Sequence, residues 1–183
     1  HHRAVDDAGA TAEIFARFVA MLRERGVENL DQLNSMSALS PDTIKKMPTY
    51  HVILLAKNEV GRINLYRLVS WSHIDYFAKR PRIPKTLLNK YREGLIIGSA
   101  CEAGELYQAM LRGQPWDSLM KIASFYDFLE IQPLGNNGFM LRDEKSTVKS
   151  WEDLKDLNRR IVQMGEELGK PVCATCDVHF LNP

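Results

Sequence analysis

Cysteine is scarce in this sequence: three residues in 183, too few and too odd a number for a disulfide framework. A small secreted scaffold held by cross-links is thereby excluded, and a reducing, cytoplasmic setting fits. Long apolar runs are missing as well. None approaches the roughly 18 residues of a membrane span and no secretory signal pattern is present, so no membrane partner is expected. Charge of one sign is also lacking. With 24 Lys and Arg against 23 Asp and Glu the formal charge is +1, which gives no global attraction to nucleic acid or lipid. Repeats, low-complexity tracts and an initiator Met are absent too.

What remains is the composition of a soluble globular protein, 45% apolar and 26% charged. The length suits one domain, or one domain plus a piece of another, and allows burial of roughly 70% of the unfolded surface. Both ends look cut. "HHRAVDDAGATAEIF" starts without preamble, and "CATCDVHFLNP" stops after a strand-like run.

Residues 4–25 read as a helix, with Val5, Ala8, Ala12, Phe15, Val19 and Leu22 at near-helical spacing and Gly26 as its stop. Residues 27–49 turn polar and form a plausible seam between two folding units. Beyond it, the apolar runs at 50–56, 94–100, 127–133 and 170–180 alternate with helical patterns. One of those patterns, at 150–169, opens with Ser150 and Asp153 spaced as a loose capping box. Four strands alternating with helices predict an α/β fold on a parallel sheet, open or closed into a barrel. Chemistry in such folds gathers at the carboxyl ends of strands. That rule selects Cys101, Glu102, Glu130, Asp177 and His179, and passes over His51, which starts its strand.

Asp177 and His179 stand two apart, so an extended backbone points both one way, toward a divalent metal such as Zn or Mn. A helix cap and a surface histidine explain the same pair. Cys173 and Cys176 form a C-x-x-C inside a strand pattern and read best as two small buried residues. Glu130 is alone in an apolar strand, and a buried carboxylate needs a partner. The "KRPRIPK" segment reads as a solvated loop, although it could meet phosphate oxygens. Trp71, Trp116 and Trp151 read as core. At the start, His2 and Asp7 flank a helix entrance. There a histidine can act as general base while a carboxylate holds a metal, unless the histidines are a tag remnant.

The motif "HHRAVDDAGATAEIFARF" resembles the last motif of the DEDD-type 3′–5′ proofreading exonucleases of the histidine subtype, H-x-x-x-x-D. The resemblance implies that His2 is the catalytic general base and Asp7 a metal ligand. The remainder, through "YHVILLAKN", "GSACEAGE", "LEIQ" and "DVHF", resembles the PHP domain of PolC-type bacterial DNA polymerase III alpha subunits, into which an exonuclease is inserted. By motif, His51, Cys101, Asp177 and His179 then fall on metal-ligand positions, and Glu130 on a position that supports them from behind. Cys176 stands where relatives usually carry glycine.

The fold implied is the later part of a distorted (β/α)7 PHP barrel, preceded by the C-terminal helix of a ribonuclease H-like exonuclease domain. Residues 1–26 would be that helix, 27–49 a linker and 50–183 the PHP part. The H-x-H pair and first acidic ligands of the PHP site do not occur, nor does the exonuclease D-x-E, so neither centre is complete. Expected cofactors are Mg or Mn for the exonuclease and Zn or Mn for the PHP site. Expected partners are DNA, through a parent DNA-directed DNA polymerase, and other replisome subunits; the segment alone should be inactive. Two alternatives stay open: a non-catalytic PHP scaffold, and a stand-alone metal- or thiol-binding protein using Cys173 and Cys176.

Overall fold

The computed structural model describes residues 4–36, 43 and 46–176. The chain divides into two compact units, His1–Lys46 and Met47–Pro183.

In the first unit, α1 (Ala4–Glu24) carries Asp6 and Asp7 in its first turn and Arg23 in its last, which complements the helix dipole at both ends. It stops as the sequence predicts. The Leu22 carbonyl accepts from Val27 N at 3.0 Å and the Arg23 carbonyl from Gly26 N at 2.9 Å, closing the exposed helix end. No residue of α1 is buried. The expected linker is not structureless, because α2 (Leu30–Met36) forms inside it. Asn29 starts that helix by accepting from Gln32 N at 2.9 Å, a short side chain satisfying an orphan amide.

The second unit holds β1 (Ile53–Ala56), α3 (Glu59–Ile74), α4 (Lys85–Lys90), β2 (Leu95–Gly98), α5 (Glu105–Leu111) and α6 (Trp116–Ser124). After these come β3 (Leu129–Ile131), a 3-10 stretch (Leu134–Arg142), α7 (Trp151–Leu168) and β4 (Val172–Ala174). The strands are shorter than the apolar runs that announce them. β3 and β4 pair in parallel, Glu130 opposite Cys173. β1 and β2 pair antiparallel, Ile53 opposite Gly98 and Ala56 opposite Leu95, which corrects the all-parallel expectation.

The reason lies in the connection. Two helices, α3 and α4, separate β1 from β2, so the chain goes out and comes back. It re-enters beside its exit, where Lys57 N donates to the Gly94 carbonyl at 2.8 Å. This meeting depends on two glycines. A Cβ on Gly61, in the first turn of α3, would fall 1.7 Å from the Gly94 carbonyl oxygen, and Gly94 itself has φ 74. Asn58 completes the junction by capping α3 through Gly61 N at 3.0 Å.

The core draws on every layer: Leu68 from α3, Ile97 from β2, Leu106 from α5, Leu119 from α6, Leu129 from β3, and Leu154, Ile161 and Met164 from α7 are all fully buried. Each such side chain contributes about 1.5–3 kcal/mol through burial. Ser150 and Asp153 form the reciprocal box at the start of α7, with bonds of 3.2 and 2.9 Å. Lys170 caps the end of α6 by donating to the carbonyls of Ala123, Ser124 and Tyr126.

Two packing expectations need correction. Trp71 and Trp116 are partly buried against the core, but Trp151, in the first turn of α7, is 51% exposed although its ring rests beside Gly138. Cys173 and Cys176 are both exposed, since β4 pairs only with β3 among the described residues. No helix among the described residues is long and apolar enough to cross a membrane.

Candidate metal centre

The turn after β2 is built tightly. Ala100 adopts φ 61, uncommon for a residue with a Cβ, and Gly104 N closes the turn on the Cys101 carbonyl at 2.9 Å. A side chain at Gly104 would meet the Ser99 carbonyl at 2.2 Å, so the "ACEAG" sequence has glycine where backbone passes backbone. The outcome is that Cys101 is held at the end of β2, half-buried.

His51 reaches the same place from the other direction. Its backbone bridges Gly104, with His51 N donating to the Ala103 carbonyl at 3.0 Å. The two side chains meet across 50 positions of sequence, Cys101 Sγ lying 3.3 Å from His51 Nδ1. The antiparallel register accounts for this. Because β1 runs against β2, the start of β1 stands at the carboxyl end of β2, where the strand-end rule expects chemistry.

Glu130 is 5% exposed and is tied to this turn: its amide donates to Ser99 Oγ at 3.0 Å. Its Oε1 accepts from Gln132 Nε2 at 3.3 Å, whereas Oε2 has no protein partner. Gln132 lies two residues on, just past the end of β3, and its own Oε1 is likewise buried without a partner. Thr175, level with Gln132 in the extended register, leaves its Oγ1 in the same condition. Further along, Asn137 donates to the Tyr107 hydroxyl at 3.3 Å. Burial pushes that hydroxyl up to about 12; the Asn137 bond works against the shift and the charge of Glu102 adds to it.

Sequence reasoning missed Ser99, Gln132 and Asn137. The signal available was Gln132, a second polar residue at strand spacing from Glu130.

Of the remaining candidates, only Asp7 is among the described residues, and it belongs to the first unit. Asp7 lies exposed in the first turn of α1, its carbonyl accepting from Thr11 Oγ1 at 2.8 Å. His2, Asp177 and His179 lie outside the described residues. Among the described residues no group of three or more His, Cys, Asp or Glu could hold a metal ion. The His51–Cys101 pair nevertheless fits half of one. Sulfur and nitrogen ligands of a tetrahedral zinc stand about 3.5 Å apart, given bonds of about 2.3 and 2.0 Å.

In this α/β unit a thiol and an imidazole thus converge beyond the strand ends. Residues 9–141 match the PHP domain family, and the chain belongs to it. The match begins inside α1 and ends in the 3-10 stretch. Over its whole length the chain is 56% identical to the DNA polymerase III PolC-type of Clostridium perfringens (184 residues, 100% of this chain). It is 49% identical over 175 residues, 96% of the chain, to the PolC-type enzyme of Caldanaerobacter subterraneus subsp. tengcongensis. To that of Bacillus subtilis it is 44% identical over 182 residues, again 100% of the chain. In each case the chain spans 12% of the relative's length.

Proposed function

We propose that this chain is a segment of a PolC-type replicative DNA polymerase, contributing one side of the PHP metal centre and the last helix of the proofreading exonuclease. The observation that carries the PHP half is the 3.3 Å approach of Cys101 to His51, two residues that the motif reading assigns independently as ligands. Asp177 and His179 would complete this side of the centre. Glu130 and Gln132 would hold it in place by hydrogen bonding, and the orphaned Glu130 Oε2 is available for that. Residues 1–26 are the proposed exonuclease helix, 27–49 the connection, and 50–183 the later PHP part. In the exonuclease, His2 would take a proton from the attacking water and Asp7 would hold a divalent metal. Zn or Mn suits the thiolate–imidazole–carboxylate set of the PHP site, and Mg or Mn the exonuclease. The whole protein would act on DNA together with other replisome subunits in the cytoplasm.

The test uses the intact parent polymerase. His51→Ala and Cys101→Ser should each remove bound zinc or manganese, read by elemental analysis, while leaving primer extension in place. His2→Ala should reduce excision of a mismatched primer end about 10²-fold or more and leave metal at the PHP site unchanged. A parent with no primer extension sinks the polymerase reading. Unchanged metal content in both PHP variants sinks the metal centre. If the PHP variants lower melting temperature yet spare every activity, the centre is a scaffold.

A further inference from the structure

The near-neutral total charge conceals a local excess. Between Lys57 and Glu93 nine Lys and Arg stand against three acidic residues, while the whole chain carries only +1. This segment is α3, α4 and their connection. The core-facing side of α3 is Gly61, Asn64, Leu68 and Ser72. On other faces Arg62, Ile63, Tyr66, Arg67, Ser70 and Trp71 line an open groove of about 410 Å³.

The chemistry of the groove is specific in kind. Tyr66 is 59% exposed, and the Arg62 guanidinium, itself held by Glu59, lies 5.4 Å from its ring centroid. Trp71 tilts against Tyr91 at 4.8 Å between centroids, and Lys90 Nζ stands 5.6 Å from the Tyr91 centroid. Arg67 has no ion pair among the described residues. Past the end of α3, the backbone folds back on itself, Ala78 N donating to the Arg80 carbonyl at 3.1 Å with Lys79 at φ 63. Lys79 and Arg80 are both exposed there.

We propose that this face binds a single-stranded polynucleotide. Phosphates would meet Arg67 and Lys90, with Lys79 and Arg80 adding attraction, and a base would stack on Tyr66 and rest against Ile63. Rings provide sequence-tolerant contact with unstacked bases, and the cations follow the backbone. A duplex keeps its base faces stacked inside and could use the charges but not the ring. Protein interfaces also favour Arg, Tyr and Trp, and the local excess of cations over acidic residues is what favours a polyanion as the occupant. The proposal stands on this surface alone and does not need the polymerase reading to be right.

Fluorescence anisotropy of a labelled oligothymidylate about 12 nucleotides long, titrated with this chain, tests it. Binding should weaken with salt, log K falling by about 0.7 per log unit of salt for each phosphate contacted. Tyr66→Ala should weaken it about 5- to 100-fold, in line with the loss of one stacked base. Arg67→Glu should weaken it about tenfold or more, whereas Lys145→Glu, the same charge change on an exposed turn elsewhere, should change it little. Four results overturn the proposal. These are no saturable binding at low salt, equal loss from Lys145→Glu, no effect of Tyr66→Ala, and tighter binding to a duplex of the same length.

Discussion

The two long helices of this molecule make an instructive pair. α1 has 21 residues and α7 has 18, and both show apolar residues at helical spacing. α7 buries Leu154, Leu157, Ile161, Met164 and Gly165, but α1 buries nothing. Ile14, Phe15, Phe18 and Met21 of α1 form a stripe in which every member is about half exposed or more. Periodicity makes a helix amphipathic; only a second surface makes it packed. Isolated helices of this length are marginal in water; α1 has its C-terminal closure and its propensity to rely on, whereas α7 adds core contacts.

The contrast can be broken most easily in the cores. Leu154→Ala should cost about 2–5 kcal/mol, a transfer loss plus a cavity, whereas Phe15→Ala should stay within about 0.5 kcal/mol. Urea unfolding followed by tryptophan fluorescence measures the first cleanly, because all three tryptophans and all six tyrosines lie beyond residue 46. Far-ultraviolet circular dichroism adds the second. Equal losses would mean that α1 is packed after all.

A somewhat smaller effect comes from pH and belongs to the second unit alone. The folded value of Tyr107, about 12, exceeds the value of about 10 for an exposed phenol. The unfolded chain therefore loses this proton first. Stability from this source is complete below about pH 10 and is lost as pH rises to about 12, a change of roughly 3 kcal/mol. Tyr107→Phe should abolish that share of the alkaline loss, read from urea midpoints measured at about pH 9 and pH 11. A wild-type slope retained in the variant would assign the loss to other groups.

The smallest effect sharpens the comparison at the helix ends. Ser150→Ala should cost about 1 kcal/mol, since one amide of α7 loses its acceptor. Asp153, the other half of the box, is held below the usual carboxylate range by the amides of Lys149 and Ser150. The contribution of its charge is present above the unfolded value and fades as pH falls through the folded one. A Ser150→Ala loss that grows on acidification would contradict that sign.

Much of this was legible beforehand. The α/β class, the Gly26 stop and the Ser150–Asp153 box follow from local chemistry that needs no distant partner, whereas of the three tryptophans read as core only Trp71 and Trp116 pack against it, and those partly. Strand direction was not legible, because an apolar run reports burial and says nothing about which way its neighbour runs. That single ambiguity hid His51 from the strand-end rule. Once β1 is antiparallel, the start of its run stands at the carboxyl end of β2, where the rule looks, and resemblance to the PHP domain had already singled His51 out by motif. Cys173 and Cys176 were misjudged for a related reason: small apolar residues in a strand pattern are buried only if the strand has a neighbour on each side.

The sequence by itself determined the Gly26 stop and the Ser150–Asp153 start of the two long helices, which donor residues are candidates for a metal, and which family the chain belongs to. Caps, turns and donor atoms are properties of short stretches. The tertiary structure decided that Cys101 and His51 meet, that Glu130 keeps one oxygen unsatisfied beside Gln132, and that α7 is packed while α1 is not. Those outcomes depend on strand register and on which surfaces face each other across tens of residues, and no local pattern encodes them.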